Sequence, residues 1–264
     1  MLPGFFLRLL VCAILGILCM GFSVNVVTAE TRTLSKDTKL YPQGWTVGDR
    51  IEFKDNTSVT LNELGEVVTG TLMSDTYLRP CGWDRVIGDY YHSTAYTTDI
   101  GLSFHRYYPP FIERAYNVVI PSYGHLNYKG GTPVTFNEKG YVISGTIEDK
   151  ATIQVVKDRY GYVMFKAETV LVFYESGAIL SGVLDADTSL RPTGWRKLMA
   201  AGDNAGFLKF SAKKPVQFQE NGEVVSGTVK ESVTLLSVDG TTTLFPAGSA
   251  VTFSDAGAFS ASVN

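Results

Sequence analysis

Apolar residues alternate with polar ones in short runs that recur along most of the chain, and the clearest run lies at residues 210–229. It reads FSAKKPVQFQENGEVVSGTV: an aromatic residue, a polar turn, Val-x-Phe, three polar residues, Gly, and then x-Val-x-Ser-Gly-x-Val. Alternation with a period of two is typical of a β-strand with one buried face. The pattern therefore predicts three short antiparallel strands separated by two polar turns.

This frame occurs five times, and we number the copies 1 to 5 by the glycine that follows the polar triplet. The marker glycines are Gly65, Gly140, Gly177, Gly222 and Gly257. A glycine at this place in a hairpin loop indicates backbone with φ > 0, which a Cβ makes unfavourable. The aromatic residues that open the copies are Phe53, Tyr128, Phe165, Phe210 and Phe245. Copy 5 is shortened by one position, and we align its Ala261-Ser262 with the Ser-Gly of the other copies.

The Ser-Gly pair near the end of the frame permits two interpretations. Ser144, Ser181 and Ser226 could be nucleophiles, but a nucleophile is activated by one particular base and oxyanion site and should occur once. Here the hydroxyl recurs in successive copies, with Thr69 at the same place in copy 1. The recurrence favours a structural role, in which the glycine marks a bulge or a bend in the strand.

A second motif, Leu-x-Pro-x-Gly-Trp, lies between some of the copies. It ends at Trp45, Trp83 and Trp195, and each instance follows an Asp-Thr pair. Asp-Thr is typical of a turn in which the side chain bonds its own backbone, and Pro and Gly interrupt the strand pattern. We expect the Trp to pack on the neighbouring copy. One carboxylate per turn is too few for the oxygen cage of a calcium ion.

Residues 1–29 have the features of an export signal. Arg8 precedes an apolar run, and Val27-Thr28-Ala29 offers small residues for cleavage before Glu30. An uncleaved anchor is the alternative, and it would then be the one membrane contact of the chain. Either form predicts an extracytoplasmic location: periplasmic, in the cell envelope or secreted. Residues 30–264 form the predicted β-repeat domain.

Charge and cysteine content exclude several classes of protein. The formal net charge is −3, and cleavage after residue 29 removes one cation, so nothing resembles the concentrated basic surface that nucleic acid needs. Cys12 and Cys19 lie in the export signal, which leaves Cys81 and no intramolecular disulfide. Stability must therefore come from burial and strand pairing, and no cofactor is indicated.

An insertion at residues 84–125 departs from the frame and makes the first gap between marker glycines about twice the next one. It contains all three histidines and a series of tyrosines. The candidate ligand-binding residues are Tyr90, Tyr91, His92, His105, Arg106, Tyr107 and Tyr108. Tyrosine rings suit protein and glycan surfaces, so a protein or glycan partner is the binding hypothesis. The alternative is a long ordered loop that covers an edge or end of the sheet.

A metal site in the insertion would use its three histidines, His92, His105 and His125. Their spacing in the sequence matches no known pair of zinc ligands. The sequence therefore predicts no metal site, although it leaves this alternative open.

A hydrolase that acts on envelope polymers is the second chemical alternative. It would pair His105 with Asp89 or Asp99 and would need a serine outside the repeat, such as Ser103 or Ser122. The chain has no Gly-x-Ser-x-Gly nucleophile elbow to complete such a site. The sequence consequently favours a protein without catalytic residues.

The segment FYESGAILSGVL, from Phe173 to Leu184, resembles a variant of the MORN-type repeat. That family is built from short β-hairpins laid side by side in an extended sheet. The resemblance implies this fold and a scaffold function without chemistry of its own. The unit here differs by its added Asp-Thr-x-Leu and Lys-x-x-Thr segments and by the large insertion. More loosely, the chain resembles uncharacterised repeat proteins that bacteria export.

Together these patterns predict an all-β fold of stacked antiparallel β-hairpin or meander repeats that form an extended twisted sheet, with a closed or partly closed β-barrel as the alternative. The function they favour is a non-enzymatic extracytoplasmic repeat scaffold or binding protein whose contact surface lies on the insertion. The envelope-acting hydrolase and a purely structural envelope component are the other candidates.

Overall fold

The computed structural model describes residues 29–45, 50–86, 124–156, 160–198 and 206–262, and these residues form an all-β protein. The export signal predicted at residues 1–29 lies outside them except for its last residue. Apart from strands, they contain a 3₁₀ turn (Trp83–Arg85) and one α-helical turn, α1 (Trp195–Leu198). Within the described ranges, no helix has the length and apolar content needed to cross a membrane.

The strands are numbered in chain order. The first eleven are β1 (Glu30–Thr33), β2 (Thr38–Leu40), β3 (Ile51–Phe53), β4 (Ser58–Leu61), β5 (Val67–Thr71), β6 (Thr76–Leu78), β7 (Leu126–Tyr128), β8 (Pro133–Phe136), β9 (Val142–Ile147), β10 (Ala151–Val156) and β11 (Tyr160–Phe165). The remaining strands are β12 (Thr169–Phe173), β13 (Ile179–Val183), β14 (Thr188–Leu190), β15 (Leu208–Phe210), β16 (Pro215–Phe218), β17 (Val224–Thr228), β18 (Val233–Leu236), β19 (Thr242–Phe245), β20 (Ala250–Phe253) and β21 (Phe259–Ser262).

One large sheet runs the length of the described chain. Its strand order is β1-β4-β5-β8-β9-β12-β13-β16-β17-β20-β21, with β6 and β7 attached at the side, and its pairings are antiparallel. The terminal strands β1 and β21 do not pair with each other in the parts of the chain that the structure describes. The predicted extended sheet of antiparallel hairpins is therefore confirmed, and the closed barrel is not formed.

Each copy contributes three strands, as predicted, but the first strand leaves the large sheet. It pairs instead with the strand before it, which gives the two-stranded ribbons β2–β3, β6–β7, β10–β11, β14–β15 and β18–β19. These ribbons lie over one face of the large sheet. The physical reason is burial, because a single sheet would leave the apolar face of every hairpin in water.

The core lies between the ribbons and the large sheet. Phe136, Phe173 and Phe218, which end the second strand of copies 2, 3 and 4, are 1%, 4% and 1% exposed. These three residues have the same position in the frame and are buried to nearly the same extent. Rings from ribbon and sheet meet edge to face, as in Phe165 and Phe218, whose centroids are 6.4 Å apart.

The hairpin loops of the large sheet have the predicted glycine geometry. In copy 2, Gly140 has φ 81° and donates its N–H to the carbonyl of Asn137, while the Asn137 N–H bonds the carbonyl of Tyr141. The marker glycines of the other four copies also have positive φ. This is the three-residue hairpin loop in which a type I turn is followed by a left-handed residue.

The glycine of the Ser-Gly pair has a different role from the predicted bulge. In copy 4, Phe218 lies opposite Val224 and Gln217 opposite Ser226, so Val225 is the extra residue and the bulge lies two residues before Gly227. The Phe210 ring lies over Gly227, where an added Cβ would be 2.7 Å from ring carbon Cδ1. The pair therefore requires glycine because an aromatic ring of the same copy covers it.

Copy 5 lacks the bulge, and this corrects its alignment. Phe253 lies opposite Phe259 and Thr252 opposite Ser260, with no shift in register between the two pairs. The missing position is therefore the bulge residue. Ser260 has the register position of the repeat serine and Ala261 that of the glycine, so the alignment of Ala261-Ser262 with Ser-Gly was wrong by one residue.

The Asp-Thr pairs lie at the start of the first strand of three ribbons, β2–β3, β6–β7 and β14–β15. The Thr188 hydroxyl donates to the carbonyl of Ala186, which confirms a bond to its own backbone. The Asp187 carboxylate instead accepts the N–H of Ala212, at 2.7 Å, in the turn that follows the partner strand of the ribbon. The aspartate therefore links two turns that are distant in sequence.

The Leu-x-Pro-x-Gly-Trp motif joins neighbouring copies. Pro42 lies in a parallel bridge with Val67 of copy 1, and the indole of Trp45 donates to the carbonyl of Gly140 in copy 2 at 2.9 Å. The prediction that this Trp packs on the neighbouring copy is confirmed for Trp45. Between copies 3 and 4 the longer hairpin β10–β11 replaces the motif, and Val155 comes close to Gly222 there.

Candidate functional site

The candidate residues predicted in the insertion lie outside the described residues. They are Tyr90, Tyr91, His92, His105, Arg106, Tyr107 and Tyr108, and the same holds for the hydrolase candidates Asp89, Asp99, Ser103 and Ser122. The structure describes the two ends of the insertion, at residues 84–86 and 124–125. The sequence-based binding hypothesis for this segment therefore stays a prediction.

Both ends of the insertion are fixed beside ribbon β10–β11. Arg85 is buried, and its Nη1 lies 3.4 Å from the carbonyl oxygen of Val155. Val86 forms an isolated antiparallel bridge with Ile153 of the same ribbon. Gly124 returns so close to Trp83 that a Cβ on it would be 2.8 Å from the Trp83 carbonyl oxygen. The insertion thus leaves and re-enters the repeat at nearly one point.

A cleft of about 410 Å³ lies beside this ribbon. Val155 and Tyr162 of ribbon β10–β11 line the cleft together with Trp195, which ends the third Leu-x-Pro-x-Gly-Trp motif, and Phe207, which directly precedes strand β15. Glu223 in the hairpin loop of copy 4 closes the base. The cleft exists because ribbon β10–β11 replaces a motif, which leaves space between it and the next motif. We call it the arginine-aromatic cleft.

Two guanidinium groups are stacked on the aromatic rings of this cleft. The Cζ of Arg191 lies 4.5 Å from the ring centroid of Trp195 and 4.6 Å from that of Phe207. The Cζ of Arg196 lies 4.5 Å from the Trp195 ring. Each such cation-π contact contributes about 0.5–2 kcal/mol and restricts where the charge can be. Two positive charges are therefore held at one side of the cleft.

The remaining lining adds exposed rings and hydrogen-bonding groups. Tyr162 is 59% exposed and Phe207 is 40% exposed, which is high for such large side chains. Asn221, Glu223 and Ser189 add polar groups. Among the lining residues that the structure describes, Glu223 is the one carboxylate and Arg191 and Arg196 are the two cations. The described part of the lining includes no histidine or cysteine.

Only part of this arrangement repeats elsewhere in the chain. Arg79 stacks on Trp83 at 5.1 Å, as Arg191 does on Trp195, so this pair belongs to the motif and supports its turn. Arg196, Phe207 and Tyr162 have no counterpart in that second motif. A search for departures from the repeat could have found Arg196, which directly follows the motif Trp. The sequence could not show that Arg196, Phe207 and Tyr162 lie close together, because their proximity depends on how the ribbons pack over the large sheet.

The repeat serines do not form a nucleophilic site with the groups that the structure describes around them. Ser226 donates to the side-chain carbonyl of Gln217 at 3.1 Å. Ser144 lies opposite Thr135 and Val172, and Ser181 lies opposite Gln217. These partners are neutral and none is a general base, which agrees with the structural role predicted for these serines.

Cys81 is also unsuited to nucleophilic chemistry. Its thiol lies 3.2 Å from the carbonyl oxygen of Glu175 in the hairpin loop of copy 3. Burial, and after it the carboxylate of Glu175, raises the pKa of this thiol above its ordinary value, so it stays protonated near neutral pH. Across the described ranges, no group of three or more His, Cys, Asp or Glu residues is arranged to hold a metal ion.

Comparison with known proteins found no matching family model, no similar curated protein and no similar solved structure. The repeated antiparallel hairpins agree with the fold that the MORN-type resemblance implies, while membership of that family stays a prediction.

Proposed function

We propose that this chain is a non-enzymatic, extracytoplasmic repeat scaffold that binds an acidic glycan in the arginine-aromatic cleft. The observation that carries the proposal is the stacking of Arg191 and Arg196 on Trp195, next to the exposed rings of Tyr162 and Phe207. The extracytoplasmic location rests on the export signal predicted at residues 1–29.

An acidic sugar suits the chemistry of the cleft. A guanidinium presents several N–H donors in a rigid fork that matches a carboxylate, and we assign this contact to Arg196, which is stacked on Trp195. Aromatic rings with exposed faces pack against the C–H surface of a sugar, while Asn221 and Ser189 can bond its hydroxyl groups. The volume is that of a small-ligand site rather than of an extended protein interface.

The insertion is the second part of the proposed contact surface. Its first end is fixed on ribbon β10–β11 through Arg85 and Val86, and Val155 of that ribbon also lines the cleft. A partner bound in the cleft would therefore lie near the point where the insertion begins. The tyrosines and histidines at residues 90–108 would then extend the contact beyond the cleft.

The first test uses polygalacturonate, a linear polymer of uronic acids, in affinity electrophoresis, with neutral dextran as the reference polymer. We expect the protein to be retarded by polygalacturonate and not by dextran, and Arg196→Gln to weaken the retardation at least about tenfold, since a charge-assisted pair contributes about 1.5–3 kcal/mol. The matched control is Arg50→Gln, because Arg50 also stacks on an aromatic ring, that of Tyr41, away from the cleft. Equal retardation of Arg196→Gln and Arg50→Gln would contradict the proposal.

A second test replaces residues 87–123 with a short Gly/Ser linker. The repeat should stay folded, because the insertion leaves and returns near Trp83 and a short linker can connect its ends. Weaker binding with an unchanged thermal midpoint would assign the insertion to the contact surface. Unchanged binding with a lower thermal midpoint would make it a structural cover and confine the binding function to the cleft.

A further inference from the structure

We infer that the outer face of the large sheet, the face that points away from the ribbons, is the interface with a second copy of this chain. The register of the sheet places the repeat serines in one straight row across it. The row consists of Thr31, Thr60, Thr69, Thr135, Ser144, Val172, Ser181, Gln217, Ser226, Thr252 and Ser260. Nine of these eleven side chains carry a hydroxyl group.

A second row lies two residues further along each strand. It consists of Thr33, Ser58, Thr71, Pro133, Thr146, Val170, Val183, Pro215, Thr228 and Ala250. All the side chains of the two rows are at least partly exposed to solvent. None is charged and none is aromatic.

The absence of charge from these two rows is what requires an explanation. A protein surface is about 25–35% charged, so rows of this length would carry about five or more charged residues. Hydroxyl pairs such as Thr69 and Thr135, 3.1 Å apart, stabilise neighbouring strands. They do not account for the missing lysines and glutamates, which exposed strands tolerate. A face that meets another protein, in contrast, is depleted in charge at its centre.

The chemistry of the face selects a second copy over other partners. The two rows carry no aromatic ring for a sugar and no cation for an acidic polymer, and valine is their largest apolar side chain, whereas a surface that enters a membrane presents Trp, Phe or Leu. Apart from Gln217, the side chains of the two rows are Ser, Thr, Val, Pro and Ala. These side chains are small, and small side chains let two sheets approach face to face at about 10 Å. An identical face brings no charge to desolvate and supplies matching hydroxyl donors and acceptors.

The size of the face is sufficient for a stable dimer. Eleven strands at ~4.8 Å spacing span roughly 48 Å, and two rows of side chains extend roughly 14 Å along the strands. Two such faces would bury on the order of 1,300 Å² in total, within the range of specific protein interfaces.

Sedimentation velocity on the full chain, purified after expression and export, tests this inference. We expect a dimer for the wild type and at least about tenfold weaker association for Val172→Lys, since a lysine at the centre of the row faces an uncharged surface and leaves its charge unpaired. Ser226→Lys provides an independent variant in case Val172→Lys lowers the stability of the monomer. The matched control is Thr243→Lys, an exposed threonine on strand β19 of a ribbon, which should leave the dimer intact.

Three results would overturn the inference. The first is a wild type that stays monomeric up to about 100 µM, a concentration at which even a weak interface would show. The second is a dimer that both Val172→Lys and Ser226→Lys leave unchanged, because the interface would then be elsewhere. The third is a monomer in which Val172→Lys abolishes binding to an envelope polymer, which would assign the face to that polymer.

Discussion

At the scale of single residues, Tyr128 shows how an individual copy departs from the repeat. It occupies the aromatic position of copy 2, where the other copies carry Phe, and it is 0% exposed. Its hydroxyl has no hydrogen-bond partner among the residues that the structure describes, and burial raises the pKa of this phenol well above its ordinary value. A buried hydroxyl without a partner destabilises a fold by about 1–3 kcal/mol.

The substitution Tyr128→Phe should therefore increase the free energy of unfolding by about 1 kcal/mol, because it removes the unsatisfied group and keeps the ring. Urea unfolding monitored by circular dichroism measures the change. Tyr162→Phe is the control, since that tyrosine is largely exposed and its hydroxyl is solvated. A loss of stability in Tyr128→Phe would show that the hydroxyl has a partner.

Asp187 makes stability depend on pH. The N–H of Ala212, and after it the ammonium of Lys230 at 3.1 Å, lowers the pKa of this carboxyl in the folded state. A lowered pKa contributes stability above the unfolded value of about 3.9, and this contribution is lost as the pH falls through the folded pKa.

Asp187→Asn should accordingly lower the thermal midpoint at pH 7, and its difference from the wild type should shrink as the pH falls from about 4 toward 2. Scanning calorimetry across this range gives the two profiles. Lys230→Gln should produce a smaller effect of the same sign, because the bond from the Ala212 N–H remains. A constant difference at all pH values would mean that the charge of Asp187 contributes nothing.

At the scale of elements, the unit of the fold is a hairpin of the large sheet whose second strand carries a glycine under an aromatic ring. In copy 4 that glycine is Gly227 and the ring belongs to Phe210. Copy 5 has Ala261 at the same register position, and there the Phe245 ring packs edge-on against Phe259, with centroids 5.2 Å apart. Loss of the glycine thus accompanies a different packing of the ring.

Gly227→Ala should lower the free energy of unfolding by about 1–3 kcal/mol, because the new methyl group overlaps the Phe210 ring in a close-packed core. Ser226→Ala on the same strand is the control and should change stability much less, since Ser226 points to the outer face. The double variant with Phe210→Leu should recover part of the loss through coupling of the two sites. Equal effects of Gly227→Ala and Ser226→Ala in urea unfolding would contradict this packing.

The strands and hairpin loops were predictable because their signals are local. Alternating apolar residues define a strand, and a glycine such as Gly140 after a polar triplet defines a loop, whatever the rest of the chain does. The ribbon layer and the covered Gly227 were not predictable, since both depend on which strands meet in space. The sequence predicted the bulge at Gly227, whereas the bulge residue is Val225, two positions earlier. The short pattern contains both residues and does not show which of them is unpaired in the ladder.

At the scale of the whole molecule, the chain is a linear array in which each copy contacts mainly its neighbours. The motif at Pro42 and Trp45 bonds copy 1 and copy 2, and the motif at Pro192 bonds copy 4. The arginine-aromatic cleft lies where ribbon β10–β11 interrupts this series. The proposed binding site thus lies at a departure from the repeat, while the repeat itself supplies the frame.

The insertion was predictable as a departure from the repeat, but the cleft was not. The described lining of the cleft comes from residues 155–156, 161–162, 189–191, 195–196, 207 and 221–223, which are distant in sequence. Only the packing of the ribbons brings these stretches together. The tyrosines and histidines of the insertion stay candidates on the strength of their sequence alone.

Removal of one complete module tests the central claim, that equivalent modules build this fold, most directly. Deletion of residues 184–228 joins Val183 to Val229, which occupy consecutive positions of the frame, so strand β13 can pair with β20 as it now does with β16. We predict a shorter protein with a β-sheet circular dichroism spectrum and one cooperative urea transition, with a smaller m-value. Deletion of residues 206–250, which has the same length but breaks the frame, should not fold. Loss of cooperative unfolding in the first deletion, or its retention in both, would contradict the account.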